Sequence, residues 1–213
     1  MFTKETVKKV IERSNETELN ATLVIGTGKL HISGGTDKIM DANFSFKGEG
    51  LEPIVDYEIS ENRKGQLTVS QCSSKFANMF NPKQDWQMTL NDQLPLLINL
   101  ELGAGKSKLN LSSLNMKELN IEAGMGETEI DLTGNWLESF NVNIENGVGK
   151  TKIYLPKHIG VKLDVDKGVG KVHADYFIKV GSSYQNQAYE NAKTKIDVKV
   201  DVGVGDVILE QKS

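Results

Sequence analysis

The sequence predicts an all-β protein: a stacked β-repeat (β-solenoid or β-roll-like) with about 21–23 residues per repeat, preceded by an N-terminal strand meander. Three observations carry this. The phrase apolar-x-apolar-x-x-Gly-x-Gly-x-x-x-apolar occurs six times. Four of its copies follow one another with first glycines 21, 23 and 21 residues apart, at Gly103, Gly124, Gly147 and Gly168. The segments between glycine pairs have strand length and no helical period.

Taken in order, residues 1–18 hold Thr6, Val7, Val10 and Ile11. Val7, Val10 and Ile11 also fit helical spacing, but the β-branched content favours a strand that ends at the polar turn Ser14-Asn15-Glu16. The first glycine phrase follows, Ala21 to Ile32 around Gly26/Gly28, closed by Gly34-Gly35. Asn43 to Phe46 and Val55 to Ile59 alternate as strands do, and Asn62-Arg63-Lys64-Gly65 turns the chain into a strand from Gln66 to Gln71. The pattern lapses between Cys72 and Gln93, where Phe76, Met79, Phe80, Trp86 and Met88 predict a cap on the open end of the stack; the sharper alternative is an exposed patch for a partner or membrane. A domain boundary is placed near Asp92, giving residues 1–92 as an N-terminal β domain and 93–213 as a repeated β domain. Before the sixth copy, at Gly203/Gly205, the spacing widens to 35 residues, so about 177–194 is an insertion with Tyr184 and Tyr189 in its loop.

Each glycine pair must turn the chain between two strands, which positive φ at glycine permits. The residue between the glycines is Thr27, Ala104, Met125, Val148, Val169 or Val204, mostly apolar, so the corner is expected to point it into the stack. Apolar residues three and five places before the first glycine and four after the second supply the inward set. One coil cannot cover them; stacked neighbours can.

The outward set lines up if the coils stack in register. Glu101, Glu122, Glu145, Asp166 and Asp201 would form an acidic column, beside a ladder of Asn99, Asn120, Asn143 and Asp164 able to exchange amide hydrogen bonds. After the second glycine, Lys106, Glu127, Lys150, Lys171 and Asp206 form one column, and Lys108, Glu129, Lys152 and His173 another, with signs partly alternating. A solvated, lysine-balanced face is the plain reading; binding of divalent cations or a basic partner to the acidic column is the sharper one.

The chemistry sought elsewhere is not found. The net charge of −4 and two arginines, Arg13 and Arg63, argue against a nucleic-acid partner. A single cysteine, Cys72, excludes an intrachain disulfide and is expected to be a small, partly buried residue. GAGKS and GVGKT resemble phosphate loops, but the required earlier glycine is Leu100 or Ile144, and a strand follows where a helix should. His31, His158 and His173 lack ligand spacing, and His173 with Asp175 makes at best a weak pair. No catalytic, cofactor-binding or metal-binding residue is assigned, no cofactor is expected, and the chain is read as not an enzyme.

In the order of its segments the chain resembles the bacterial toast-rack family, which includes the C-terminal domain of LiaF-type regulators and adhesin-like β-repeat proteins. LVIGTGKLHISGG, the stretch from Pro53 to Tyr57, and GQLTVSQ are similar to that family's N-terminal β domain; WQMTL, LPL, GAGKSKLNLSSL and GMGETEIDLTG are similar to the start of its repeats. The resemblance implies a non-enzymatic protein-interaction module of the cell envelope, with regulation of an envelope stress response as its finer form. The alternative is a surface adhesin or glycan-binding protein using Trp136, Tyr184 or Tyr189 as platforms. It also implies an extracytoplasmic or membrane-associated place if a leader or anchor has been removed, and a cytoplasmic one otherwise. A protein partner at the envelope is expected, a glycan is possible, and no oligomeric state is assigned.

Overall fold

The structure, a computed structural model, describes residues 4–48, 51–71 and 84–212. Cys72, Phe76, Met79 and Phe80 therefore lie outside the described residues. Among the described residues fourteen strands form one open sheet. The six glycine phrases become long strands: β2 (Glu18–Thr36), β7 (Pro95–Asn110), β8 (Asn115–Asp131), β9 (Phe140–Pro156), β14 (Lys195–Lys212), and β10 (Gly160–Val169) continued by the short β11 (Val172–His173). They pair in parallel, in the order β2-β7-β8-β9-β14-β10. The sixth copy in sequence is thus the fifth in space, seated between β9 and β10.

Hydrogen bonding does not stop at the glycines, so each phrase is a corner inside one strand rather than a turn between two. The corner shows in the burial pattern. In β7, Leu96, Ile98, Leu100 and Leu102 are buried before the glycines, and Ser107 and Leu109 after them. The two-residue alternation has changed phase, so both halves cover the same core although the chain has turned between them. The half before the glycines is here called the first wall and the half after them the second wall.

The two glycines are required for different reasons. The second has positive φ, from 140° to 159°, in all six copies. The first is excluded by its neighbour: a Cβ on Gly124 would lie 2.5 Å from the carbonyl oxygen of Gly103. At the second position the approach is closer still, 1.8 Å from Gly126 to the Gly105 oxygen. The obstacle is the neighbouring strand's backbone, so each strand that stacks at this corner demands glycine at both positions, which accounts for the repetition of the phrase.

At the N-terminal end the walls separate. The first half of β2 pairs with β5 (Lys64–Ser70), itself paired with β4 (Ile54–Ile59); the second half pairs with β6 (Gln84–Asn91), followed by β3 (Met40–Lys47) and β1 (Lys4–Ile11). The expected strand in residues 1–18 is therefore present. Where β5 leaves, Gln71 Oε1 accepts from Gly26 N and Thr27 N at 2.8 and 3.1 Å, closing the exposed corner. Trp86 and Met88 are core residues of β6, with Trp86 edge-on to Phe44 at 5.3 Å. The β2–β7 ladder crosses position 92, and one hydrophobic core includes residues from both sides of it. At the other end the insertion forms the hairpin β12 (Ile178–Val180) and β13 (Ser183–Gln185), which extends the first wall beyond β10. Asn186 pins it: buried, it accepts from Val161 N at 2.9 Å and donates to Ile159 O at 2.7 Å.

Candidate functional site

The residues between the glycines do not point into the stack. Met125, Val148, Val169 and Val204 are 59%, 46%, 68% and 48% exposed. The phase change at the corner is the reason: the last inward residue precedes the first glycine and the next follows the second by two places, so the residue between lies on the convex side. The ladder sets these residues side by side as Ala104, Met125, Val148, Val204 and Val169, an apolar ridge along the bend.

The first wall carries the acidic column in register. Glu101 faces Glu122, Glu122 faces Glu145, Glu145 faces Asp201, and Asp201 faces Asp166. Strands about 4.8 Å apart hold the carboxylates as close neighbours. Among the described residues none of the five makes an ion pair. Glu101, Glu122, Glu145 and Asp201 line a groove of about 640 Å³ together with the first glycines of the neighbouring strands, Gly103, Gly124, Gly147 and Gly203. The asparagine ladder is also formed: Asn120 Nδ2 donates to Asn99 at 2.9 Å and Asn143 Nδ2 to Asn120 at 2.8 Å. It ends at β14, where Lys199 stands between Asn143 and Asp164. The hydroxyl of Ser183 donates to Asp164, and with Lys162 it holds that carboxyl below its ordinary value.

The second wall settles its charges differently. Lys106 meets Glu127 at 2.7 Å, Lys108 meets Glu129 at 3.3 Å, and Lys152 meets Glu210 at 2.8 Å. Glu127 is held below its ordinary value chiefly by its hydrogen bond from Lys106, and Lys152 is raised chiefly by Glu210. Under this face runs a buried polar row that sequence reasoning missed. Ser107 Oγ donates to Thr128 at 3.2 Å, and Asn146 Nδ2 donates to Thr151 at 3.1 Å. Its signal was a hydroxyl residue two places after the second glycine in three copies.

Other predicted residues are dispersed. Trp136 is buried against Phe140 at 4.8 Å, so it cannot serve as a glycan platform. Tyr184 packs on the core from the hairpin, and Tyr189 lies under Lys195 with its hydroxyl 3.3 Å from Asp197. His158 bonds Asn135 at 2.8 Å, and His173 is exposed on β11. No group of three or more metal-ligating side chains occurs among the described residues.

A parallel stack cornered by glycine, with its ordered chemistry on its outer faces, defines an all-β repeat protein whose candidate site is a face rather than a cleft. Residues 2–154 match the family described as "N-terminal domain of toast_rack, DUF2154", and the chain belongs to the toast-rack family. It is similar to the crystal structure of a "putative cell adhesion protein" from Clostridium sporogenes, with 38% identity, TM-score 0.94, and coverage of 99% of this chain and 100% of that one. Structures of a "putative adhesin" from Bacteroides fragilis and another from Parabacteroides distasonis match at 14% and 12% identity over 96% and 98% of this chain and 97% of each of those. Their TM-scores, 0.24 and 0.26, are too low to carry weight. A search of curated proteins returned no match.

Proposed function

We propose that this chain is a non-enzymatic protein-interaction module of the bacterial cell envelope, working outside the cytoplasm or at the membrane, and that its partner acts in an envelope stress response. Membership of the toast-rack family supports the class, and the name of the Clostridium sporogenes relative supports a binding role at the cell surface. The observation that carries the reading is the first wall. Five neighbouring carboxylates without cations repel one another, and an exposed apolar ridge runs beside them. A partner presenting a basic strip with an apolar edge relieves both costs.

Affinity capture from envelope extract tests this, comparing wild type with Glu101→Lys/Glu122→Lys/Glu145→Lys, each checked for native circular dichroism. A protein retained by wild type and lost by the variant, together with sensitivity of the deletion strain to cell-wall antibiotics, is expected. Identical captures and an unchanged phenotype overturn the reading. The second reading, a surface adhesin or glycan binder, is favoured by the relative's name; with Trp136 in the core, it would rest on Tyr184 and Tyr189, and hits on a glycan array lost on Tyr189→Ala would establish it.

A further inference from the structure

The convex bend is asymmetric along its length. At the N-terminal end, where β6 takes its place beside β2, a groove of about 670 Å³ opens over Gly28 and Gly105 and is bordered by Lys4, Lys29, Lys47 and Lys106. These lysines form two like-charge pairs directly across the ladder: Lys4 opposite Lys47 on β1 and β3, and Lys29 opposite Lys106 on β2 and β7. Like charges at such positions destabilise a sheet. Among the described residues one carboxylate, Asp85, lines the groove, and Lys106 already has Glu127 as its partner. Among the described residues Lys4, Lys29 and Lys47 make no ion pair.

We propose that this groove binds a linear, phosphate-bearing polyanion. The four lysines stand on β1, β3, β2 and β7, with β6 between β3 and β2, a span of about 19 Å at the usual strand spacing, too long for one phosphate group. Ammonium groups act on phosphate as point charges, and no arginine fork lines the groove, so the ligand is selected by the run of its charges. Among the described residues no aromatic ring lines it either, so it shows none of the stacking platforms that single-stranded nucleic acid uses. A concave channel suits a chain lying in it better than a flat membrane. The site is separate from the acidic wall and does not depend on the partner proposed there.

The test is binding of long-chain inorganic polyphosphate to the full chain, followed by calorimetry. Wild type is expected to bind at low salt, with affinity falling about tenfold or more between 50 and 300 mM NaCl. Lys4→Gln/Lys29→Gln/Lys47→Gln is expected to bind at least about tenfold more weakly while melting no lower than wild type. Lys171→Gln, at the far end of the stack, is expected to bind as wild type does. No binding by wild type, an unchanged affinity in the triple variant, or equal affinity for orthophosphate each overturns the proposal. Stronger binding to single-stranded DNA of matched charge, or to vesicles of anionic lipid, also overturns it, by assigning the groove to another ligand.

Discussion

The two walls share strands, spacing and core, yet dispose of their outward charge in opposite ways. On the first wall, among the described residues, five carboxylates stand in a row without ion-pair partners, beside a ladder of asparagines bonded amide to amide. On the second wall lysine and glutamate alternate between neighbouring strands and meet as ion pairs. Register fixes both patterns, because a ladder held at each glycine pair leaves no freedom to slide. From Lys106 onward the second wall is built for its own stability, and only at its N-terminal end, where Lys29 faces Lys106, does it keep a like-charge pair. The first keeps a cost that only something outside the chain removes.

Breaking the corner removes the comparison altogether, and that is the largest effect expected. A Cβ at Gly126 would fall 1.8 Å from the Gly105 oxygen, at φ 140°. Gly126→Ala should cost roughly 4 kcal/mol or more, read by urea denaturation, or leave the chain unfolded. Gly181→Ala is the control: its φ is 62° but nothing lies within 4 Å, so only the backbone strain of about 1 kcal/mol is expected.

This joint also shows what could be seen in the sequence. Six glycine phrases in one frame made the stack, the acidic column and the asparagine ladder legible, since each follows from period and alternation alone. The outward turn of Met125 and its neighbours was not legible, because it depends on the phase change across the corner, which only backbone torsion decides. Nor was the place of β14 between β9 and β10. Parallel ladders with the same phrase are interchangeable in sequence; in the structure the hairpin that Asn186 fixes takes one edge of β10 and β14 takes the other. The lysine groove was hidden for a similar reason: Lys4 and Lys47 meet through an antiparallel pairing outside the repeats.

The first wall is closed at its N-terminal end by a buried carboxylate, which sharpens the contrast with the exposed column. Burial alone would raise the Glu16 carboxyl, but the hydroxyl of Tyr57 at 2.5 Å, the backbone N–H groups of Glu16 and Ser14, and Arg13 together hold it below its ordinary value. Tyr57→Phe should cost about 2 kcal/mol near neutral pH, as expected for losing a hydrogen bond to a charged group. Because the folded value is the lower one, this stability is present above the unfolded carboxyl value, about 4.3, and is lost as pH falls through the folded value. The gap between wild type and Tyr57→Phe should therefore close on acidification below about pH 4.3; a constant gap would show that Glu16 is not its source. A smaller loss, about 1 kcal/mol, is expected for Asn120→Ala, which takes the middle rung from the ladder, with Asn99→Ala at its end costing less.

The finest test sets one charge on each wall against the other. Glu122 has a carboxylate on either side of it, Glu101 and Glu145. Replacing it with glutamine removes two repulsions and should raise the melting temperature, a gain of roughly half a kcal/mol at low salt. Lys106→Gln on the second wall breaks an exposed ion pair and should lower the melting temperature slightly or not at all. Salt separates the causes. Screening weakens repulsion and attraction alike, so the advantage of Glu122→Gln over wild type should shrink as sodium chloride rises towards about 1 M. Any deficit of Lys106→Gln should shrink over the same range. If Glu122→Gln instead destabilises the protein, the column is already compensated within the chain, and the first wall has no unmet charge for a partner to answer.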